Sequence, residues 1–418
     1  MILAATIFLR SVFSIDLNLA ARYFQEASWA SQDDAGALWG AKLYGPTLFV
    51  DPQTGDIVAN QADQKGALTS AGTVFVGKVP LSFAAANTAM DWNGVKWSVI
   101  MWPLPERPVD RSRLIMHESW HRIQSDIGLP PAITHNEHLD SKEGRIWLLM
   151  EYRALAKALP AWGDERKTAL SDALTFRSYR RSLFPSAAEN EDRMEVHEGM
   201  AEYTGICCSG RTNSEGRYYM AGRLKLNSLK PSLTYAFAYE TGPAYGLLLD
   251  QYDEHWRKGL NPKSSLSELL AAAAHIAVGK VDHAEAKKRA QAYDGNSLIK
   301  QETKRDEERT KQLKEFRQTL IEGPRLHLPS TGNFTFDPNA VYPMPPTGTV
   351  YLGSKLSEEW GVLETTGPVL IDSQYRNSWV QAATGTDPSK GMTWKLTLNP
   401  GWKLVPGPRK GDWEIAKG

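Results

Sequence analysis

The run His117-Glu118-Ser119-Trp120-His121 constrains the fold more than any other feature, because its chemistry requires a helix. Asp110 is a suitable N-cap, Gly128 is a suitable C-terminal stop, and a helix cannot continue through Pro130-Pro131. The helical spacing of four apolar residues predicts one buried stripe: Met116, Trp120, Ile123 and Ile127. We therefore predict a buried helix that starts at Asp110 and carries both histidines.

The two histidines indicate a metal site. His117 and His121 are four residues apart, so a helix places them about one turn from each other on one face. Two such imidazoles can bind one metal ion, and Glu118 beside them can take a proton from metal-bound water. A catalytic zinc ion has three protein ligands, keeps a position for water and lowers the pKa of that water to about 7. We predict a Zn²⁺ site with His117 and His121 as ligands and Glu118 as general base.

Two glutamates compete for the place of the third ligand. Glu143 follows His121 at the shorter distance, but Asp140-Ser-Lys-Glu143 also fits a capping box that opens a helix over Gly144–Leu159. Glu198 lies in a helix predicted to start at Ser186, with Glu189 as its capping-box partner.

The helix around Glu198 is rich in acidic residues. Glu191, Glu195, Glu198 and Glu202 share one face, which fits either a solvated acidic surface or a ligand-bearing face. Gly199 and Ala201 are small, which favours close approach of a second helix. We interpret His197 as a packing residue.

Two motifs together resemble the gluzincin clan of zinc metallopeptidases, which includes thermolysin and many aminopeptidases: His117-Glu-Ser-Trp-His121 and His197-Glu198-Gly-Met-Ala-Glu202-Tyr203. The resemblance implies that Glu198 is the third zinc ligand and that Glu202 supports a ligand from behind. This chain departs from the family in spacing, since 76 residues lie between His121 and Glu198. An inserted helical hairpin over about 144–182 would explain the distance. Because Glu198 is the third ligand only if such an insertion is present, Glu143 remains the rival ligand.

A third segment, Tyr235 to Gly246, resembles the Tyr-Glu-x-Gly element of gluzincin aminopeptidases. The resemblance implies that the Tyr239 hydroxyl donates to the oxyanion of the tetrahedral intermediate, with Tyr245 as second candidate. A core aromatic residue is the other interpretation of Tyr239. The resemblance covers about residues 95–250 and implies an α+β fold with a zincin-like catalytic unit.

The rest of the chain divides by pattern into three parts. Residues 1–109 predict an N-terminal helix over Asp16–Ala37 and a β-rich lobe, with strands at Pro46–Val50, Thr73–Val79 and Val95–Trp102. Residues 110–322 predict a helical lobe that ends in a solvated charged helix over Lys287–Arg317. Residues 326–418 predict a small all-β domain, where Trp394, Leu396 and Leu398 alternate with polar residues. Lys96–Met101 fits either an edge strand that pairs with a peptide or an interior strand.

Composition excludes several other classes. With 48 basic and 48 acidic residues the chain lacks the basic excess of nucleic-acid binders. No stretch is apolar enough for a stable membrane span, and the adjacent cysteines at 207 and 208 exclude a disulfide framework. The apolar segment Met1–Leu9 is either a truncated signal segment of an exported protein or an ordinary buried segment. His135 and His138 beside Asp140 are better explained by packing than by a second metal.

These patterns predict a zinc-dependent hydrolase whose substrate is a peptide or protein. The absence of a Gly-x-Met-Glu-Asn-like element before the zinc helix favours an endopeptidase. The alternative is a binding protein with an idle metal site, acting through its C-terminal β domain on a protein or glycan. Zinc-dependent hydrolysis of a non-peptide amide is a third possibility.

Overall fold

The computed structural model describes residues 14–80, 86–132, 134, 136–279, 281–337 and 340–418. It shows a mixed α+β fold with an N-terminal sheet, a helical region and a C-terminal all-β region, as the composition of the three segments predicts. Met1–Leu9 and His135, named above as a candidate signal segment and a candidate second-metal residue, lie outside the described residues.

The N-terminal region begins with a helix and continues as a sheet. Helix α1 spans Leu17–Asp34, and the Asp16 side chain caps it by accepting a hydrogen bond from the Leu19 amide. The strands are β1 Thr47–Val50, β2 Asp56–Ala59, β3 Thr69–Ala71, β4 Val74–Lys78, β5 Thr88–Trp92 and β6 Val95–Met101. In the described residues they form one sheet in the order β3-β4-β2-β1-β6-β5, with only β1 and β6 parallel. The run Lys96–Met101 is therefore an interior strand, and the edge belongs to β5.

Alternation along β1 explains how this sheet is buried on both faces. Phe49 belongs to the main core, together with Val58 and Ile100 from the flanking strands. Leu48 and Val50 point to the other face and pack in a separate apolar cluster. The sheet is consequently fixed against the helical region on the Phe49 side.

The helical region supplies the elements that carry the candidate site. The helices are α2 Pro108–Ile123, α3 Lys142–Ala158, α4 Gly163–Leu183, α5 Ala187–Met194, α6 Met200–Cys207, α7 Asn213–Asn227, α8 Ala238–Leu249, α9 Leu266–Ala273, α10 His283–Ala290 and α11 Gly295–Arg317. Consecutive helices α3 and α4 pack on each other, which confirms the helical hairpin predicted between the two zinc motifs. The charged stretch is helical as predicted, but Asp294 adopts a left-handed conformation and separates α10 from α11.

Two predicted helix starts are wrong in detail, and a third, at Ser186, is right in position but lacks the predicted capping box with Glu189. Helix α2 begins at Pro108 rather than after Asp110, because proline is favoured in the first helical turn. Ser141, not Asp140, caps α3 by accepting from the Gly144 amide. Ser186 precedes α5 in a left-handed conformation and its side chain makes no capping hydrogen bond.

The C-terminal region is all β, as predicted, and Trp394–Leu398 is one of its strands. The strands are β7 Arg325–Pro329, β8 Phe334–Thr335, β9 Val341–Met344, β10 Gly348–Leu352, β11 Lys355–Glu358, β12 Gly361–Thr365, β13 Pro368–Ile371, β14 Asn377–Gln381, β15 Trp394–Leu398, β16 Trp402–Pro406 and β17 Trp413–Lys417. Within the described part of the chain they form two sheets, ordered β16-β17-β7-β14-β13-β10-β9 and β15-β12-β11-β8. None of the described helices combines the length and the apolar character needed to cross a lipid bilayer.

Candidate metal centre

Helix α2 lies between the N-terminal sheet and the helices that follow it. Met116, Trp120 and Ile123 are buried, as their spacing predicts, whereas Ile127 lies beyond the end of α2 and is only partly buried. Strand β6 lies against this helix, and its Ser98 hydroxyl donates to the Glu118 carbonyl over 3.2 Å. This packing fixes the face of α2 that carries the two histidines.

The second helix of the site contains an irregular turn. Helix α5 passes into a π-helical turn at Glu195–Gly199, which continues directly into α6. Such turns insert a residue into a helix and are frequent at functional sites. At this turn α8 comes very close, since a Cβ atom on Gly242 would lie 2.4 Å from Gly199 Cα. The close approach that Gly199 predicts is thus confirmed.

The two helices bring three potential ligands together. The Nε2 atoms of His117 and His121 lie 3.1 Å apart, and Glu198 Oε2 lies 3.5 and 3.3 Å from them. Among the described residues, these side chains form the one group of His, Cys, Asp and Glu whose ligand atoms all lie within 4.8 Å of one another. Glu198 Oε2 is buried and has no hydrogen-bond partner in the described structure.

These separations fit a tetrahedral zinc ion. Zinc binds imidazole nitrogen and carboxylate oxygen at about 2.0–2.2 Å, so tetrahedral angles separate two ligand atoms by about 3.3–3.6 Å. The three observed separations match this range to within about 0.2 Å. The donor set of two imidazoles and one carboxylate also leaves a fourth position for water.

Each histidine is held through its other ring nitrogen. Glu202 Oε2 lies 3.1 Å from His117 Nδ1, and Gln124 Oε1 lies 3.0 Å from His121 Nδ1. Partners of this kind fix the tautomer and the ring orientation, so that Nε2 carries the free lone pair. Arg113 and Arg223 both donate to the Glu202 carboxylate, which keeps that group ionised and in place.

The electrostatics of the site favour a positive charge between the ligands. Burial lowers the pKa of His117, but the neighbouring Glu198, Glu202 and Glu118 carboxylates outweigh it and raise that pKa to about 10. For Glu202, burial is outweighed by Arg223 and Arg113, and its pKa falls below the usual range. A divalent cation between the same carboxylates supplies the positive charge that they favour, so that the His117 imidazole can stay neutral.

Glu118 stands beside the ligands without being one of them. Its Oε1 atom lies 4.0 Å from His117 Nε2, and its Oε2 atom is buried with no hydrogen-bond partner in the described residues. Burial raises the pKa of Glu118 above its ordinary value. A carboxylate with a raised pKa and a free oxygen is suited to accept a proton near neutral pH.

The two tyrosines of α8 differ in what they face. The Tyr239 ring stacks on the His117 imidazole, with centroids 5.6 Å apart and planes 6° from parallel. Burial and the Glu198 carboxylate hold the pKa of Tyr239 well above 10, so the hydroxyl keeps its proton. Tyr245 instead donates to Glu151 over 2.8 Å, within a buried ionic network. Only Tyr239 therefore has the position expected of a donor at the site.

Three other residues considered from the sequence, Glu143, His138 and His197, are not part of the three-residue group. Glu143 accepts a hydrogen bond from the Trp147 indole over 3.0 Å, and it is not in the three-residue group. His138 Nε2 lies 2.9 Å from Glu191. His197, predicted to be a packing residue, is near the site: its ring centroid is 5.0 Å from that of His121. Burial lowers the pKa of His197 to about 4.

The acidic residues of the Glu198 helix do not form a solvated face. Glu191, Glu195 and Glu202 are all buried. Arg180 of α4 donates to Glu191, and Arg177 of α4 donates to Glu195. Both arginine side chains are buried. The ionic network therefore joins the inserted hairpin to the helix that carries Glu198, which the sequence pattern alone did not indicate.

Sequence reasoning did not find three residues that support the site: Gln124, Arg113 and Arg223. Gln124 caps the C-terminal end of α2, three residues after His121, and Arg113 lies on α2, four residues before His117. That spacing is a usable signal, because i,i+3 and i,i+4 neighbours meet on a helix. Arg223 comes from α7 and had no local signal.

Comparisons with known proteins add no further information. No protein-family model matches this chain, and searches of curated proteins and of solved structures find no significant match.

Proposed function

We propose that this chain is a zinc-dependent peptide-bond hydrolase of the gluzincin type, with a zincin-like catalytic unit. The observation that carries the proposal is the tetrahedral spacing of His117 Nε2, His121 Nε2 and Glu198 Oε2. His117, His121 and Glu198 would hold the ion. When bound, Zn²⁺ would supply Lewis-acid polarisation and a water molecule of lowered pKa.

Glu118 is the proposed general base. Its unpaired Oε2 atom lies in the site beside His117, within a region from which bulk water is excluded. A proton accepted there from the attacking water can pass to the leaving amine, because the departing amine is a stronger base than the carboxylate. Substitution of this carboxylate removes the proton acceptor and leaves the three ligands in place.

Tyr239 is the proposed donor to the developing oxyanion. Its stacking on His117 fixes the ring, and its raised pKa keeps the hydroxyl protonated at neutral pH. A preoriented donor of this kind stabilises the charge that develops on the carbonyl oxygen in the transition state.

Strand β5 supports a peptide as the substrate. It is one of the two edge strands of the N-terminal sheet in the described residues, the other being β3, and it is the one that lies against α2. An extended peptide can add to such an edge through main-chain hydrogen bonds. This assigns to β5 the substrate-pairing role that one interpretation of the sequence gave to Lys96–Met101.

Metal analysis combined with a digestion assay tests the proposal. We expect one zinc per chain and hydrolysis of a peptide library that stops on addition of a zinc chelator and returns with Zn²⁺. A chain that binds no zinc would refute the proposal. Stoichiometric zinc without turnover of peptides would instead favour the binding-protein alternative, and turnover restricted to small amides would favour the third class.

A further inference from the structure

A second charged cavity lies away from the candidate metal centre, between α3, α11 and the segment that joins α7 to α8. Its volume is about 460 Å³. Five basic side chains line it, from Arg145, Arg153, Lys230, Arg305 and Arg309, and the acidic side chains that line it are Glu302 and Glu308. The cavity wall is therefore strongly biased towards positive charge.

The carboxylates nearby do not neutralise the three arginines at the centre. Arg145 is paired with Glu302, at 2.9 Å from Nε to Oε2. Arg305 donates to the Pro231 carbonyl over 2.9 Å and lies 3.8 Å from Glu302. The Asp140 carboxylate approaches Arg145, Arg305 and Arg309 to 3.6, 3.7 and 3.9 Å, which is too long for hydrogen bonds.

Asp140 is already engaged with the chain segment that precedes α8. Ser232 donates to it over 2.6 Å through its hydroxyl, and Leu233 over 2.9 Å through its amide. Both oxygens of this carboxylate are thus occupied by neutral donors, and its charge is shared among three guanidinium groups.

Arg309 is the least satisfied of these groups. Its side chain is 90% buried, and its Nη1 atom has no acceptor among the described residues. Burial together with the charge of Arg145 lowers the pKa of Arg305 to about 10, and burial likewise lowers that of Arg309. The Arg309 Nη1 group is therefore buried with no hydrogen-bond acceptor in the described structure, its nearest carboxylate oxygen being 3.9 Å away on Asp140, and an anion that accepted a hydrogen bond from this group would offset the cost of burying it.

We propose that this cavity is a binding site for a multiply charged phosphate-type oxyanion, held by Arg309, Arg305 and Lys230. Guanidinium groups match the tetrahedral oxyanion with paired N–H donors, and lysine adds a point charge. The ligand would join α3, α11 and the segment before α8. None of these three residues belongs to the candidate metal centre, although Lys230 lies within electrostatic range of Glu202, the residue behind His117.

Calorimetric titration of inorganic pyrophosphate into the full chain tests the site. The protein is first stripped of metal, because pyrophosphate itself binds zinc, and ionic strength is held constant. We expect saturable binding at one site, and at least tenfold weaker binding in Arg309→Gln. Lys230→Gln removes a partly exposed charge that is less important for folding, and we expect it to weaken binding severalfold.

Arg193→Gln is the matched control, since the Arg193 side chain on α5 is 43% exposed and makes a loose 3.8 Å ion pair with Glu189. Its affinity for pyrophosphate should equal that of the unchanged protein. Absence of saturable heat in the unchanged protein would overturn the proposal. The proposal would also be overturned if both Arg309→Gln and Lys230→Gln bound pyrophosphate as tightly as the unchanged protein does, because binding would then be non-specific. Neither result bears on zinc binding or hydrolysis.

Discussion

Glu202 Oε2 lies 3.1 Å from Nδ1 of His117, which places a carboxylate behind the imidazole whose Nε2 faces His121 and Glu198. Two arginines hold that carboxylate in turn. The orientation of the first histidine therefore depends on a residue four positions beyond the proposed third ligand.

This relationship leads to the first prediction. Glu202→Gln keeps the size of the side chain but removes the charge that fixes the His117 tautomer, so we expect zinc affinity to fall about 10- to 100-fold. Competition with a chromophoric zinc chelator measures the change. Glu215→Gln is the control, because Glu215 is exposed and serves only to cap α7. Unchanged affinity in Glu202→Gln would contradict the assigned role.

The role of Glu118 as the proposed general base can be tested without changing the three proposed ligands. We expect Glu118→Gln to retain bound zinc while hydrolysis falls about 100- to 10,000-fold, because the amide cannot accept the proton. Zinc content and peptide turnover are measured on the same preparation. Hydrolysis at the original rate in pure Glu118→Gln protein would exclude Glu118 as the base.

The third ligand can be distinguished from its rival by paired substitutions. Glu198→Ala removes one of the three converging atoms, so its zinc content should fall sharply. Glu143→Ala removes only a hydrogen bond to Trp147 and should leave zinc content unchanged. Elemental analysis after dialysis provides the measurement, and the reverse result would identify Glu143 as the ligand.

The tyrosines of α8 offer a matched pair. Tyr239→Phe should reduce hydrolysis about 100- to 1,000-fold with zinc retained, since it removes a donor to the oxyanion. Tyr245→Phe removes a hydroxyl that donates to Glu151, and we expect it to lower stability more than turnover. Peptide turnover and thermal unfolding are compared for both variants. A similar loss of turnover in the two variants would argue against a specific role for Tyr239.

The buried ionic network of the hairpin is expected to matter for stability. Arg177 donates to Glu151 over 2.7 Å and to Glu195 over 2.9 Å, with all three side chains enclosed. Arg177→Met leaves two buried carboxylates short of a partner and should lower the free energy of unfolding by about 3–5 kcal/mol. Urea denaturation measures this value. Arg193→Met, at an exposed site, should change it by less than about 0.5 kcal/mol, and an equal effect would contradict the network's importance.

The sequence determined those features of this protein that depend on local spacing. The helix of His117 and His121, three of the six strands of the N-terminal sheet and the all-β C-terminal region follow from hydrophobic periods and turn residues, whereas the hairpin was inferred from the long spacing between the two motifs. Helix starts were less well predicted, as at Pro108 and Ser141, because several residues in a short stretch can serve as caps.

The tertiary structure alone decided which distant side chains meet. The sequence leaves both Glu198 and Glu143 open as ligands, and only the packing of α6 against α2, with α8 behind α6 and the π-helical turn, brings the Glu198 carboxylate to the histidines. The π-helical turn and the Gly199–Gly242 contact set that position, and they depend on neighbours more than 40 residues away in the chain. The periodicity of hydrophobic residues shows which face of a helix or strand is buried. It does not show which other element packs on that face, because this depends on how whole elements fit together in the core.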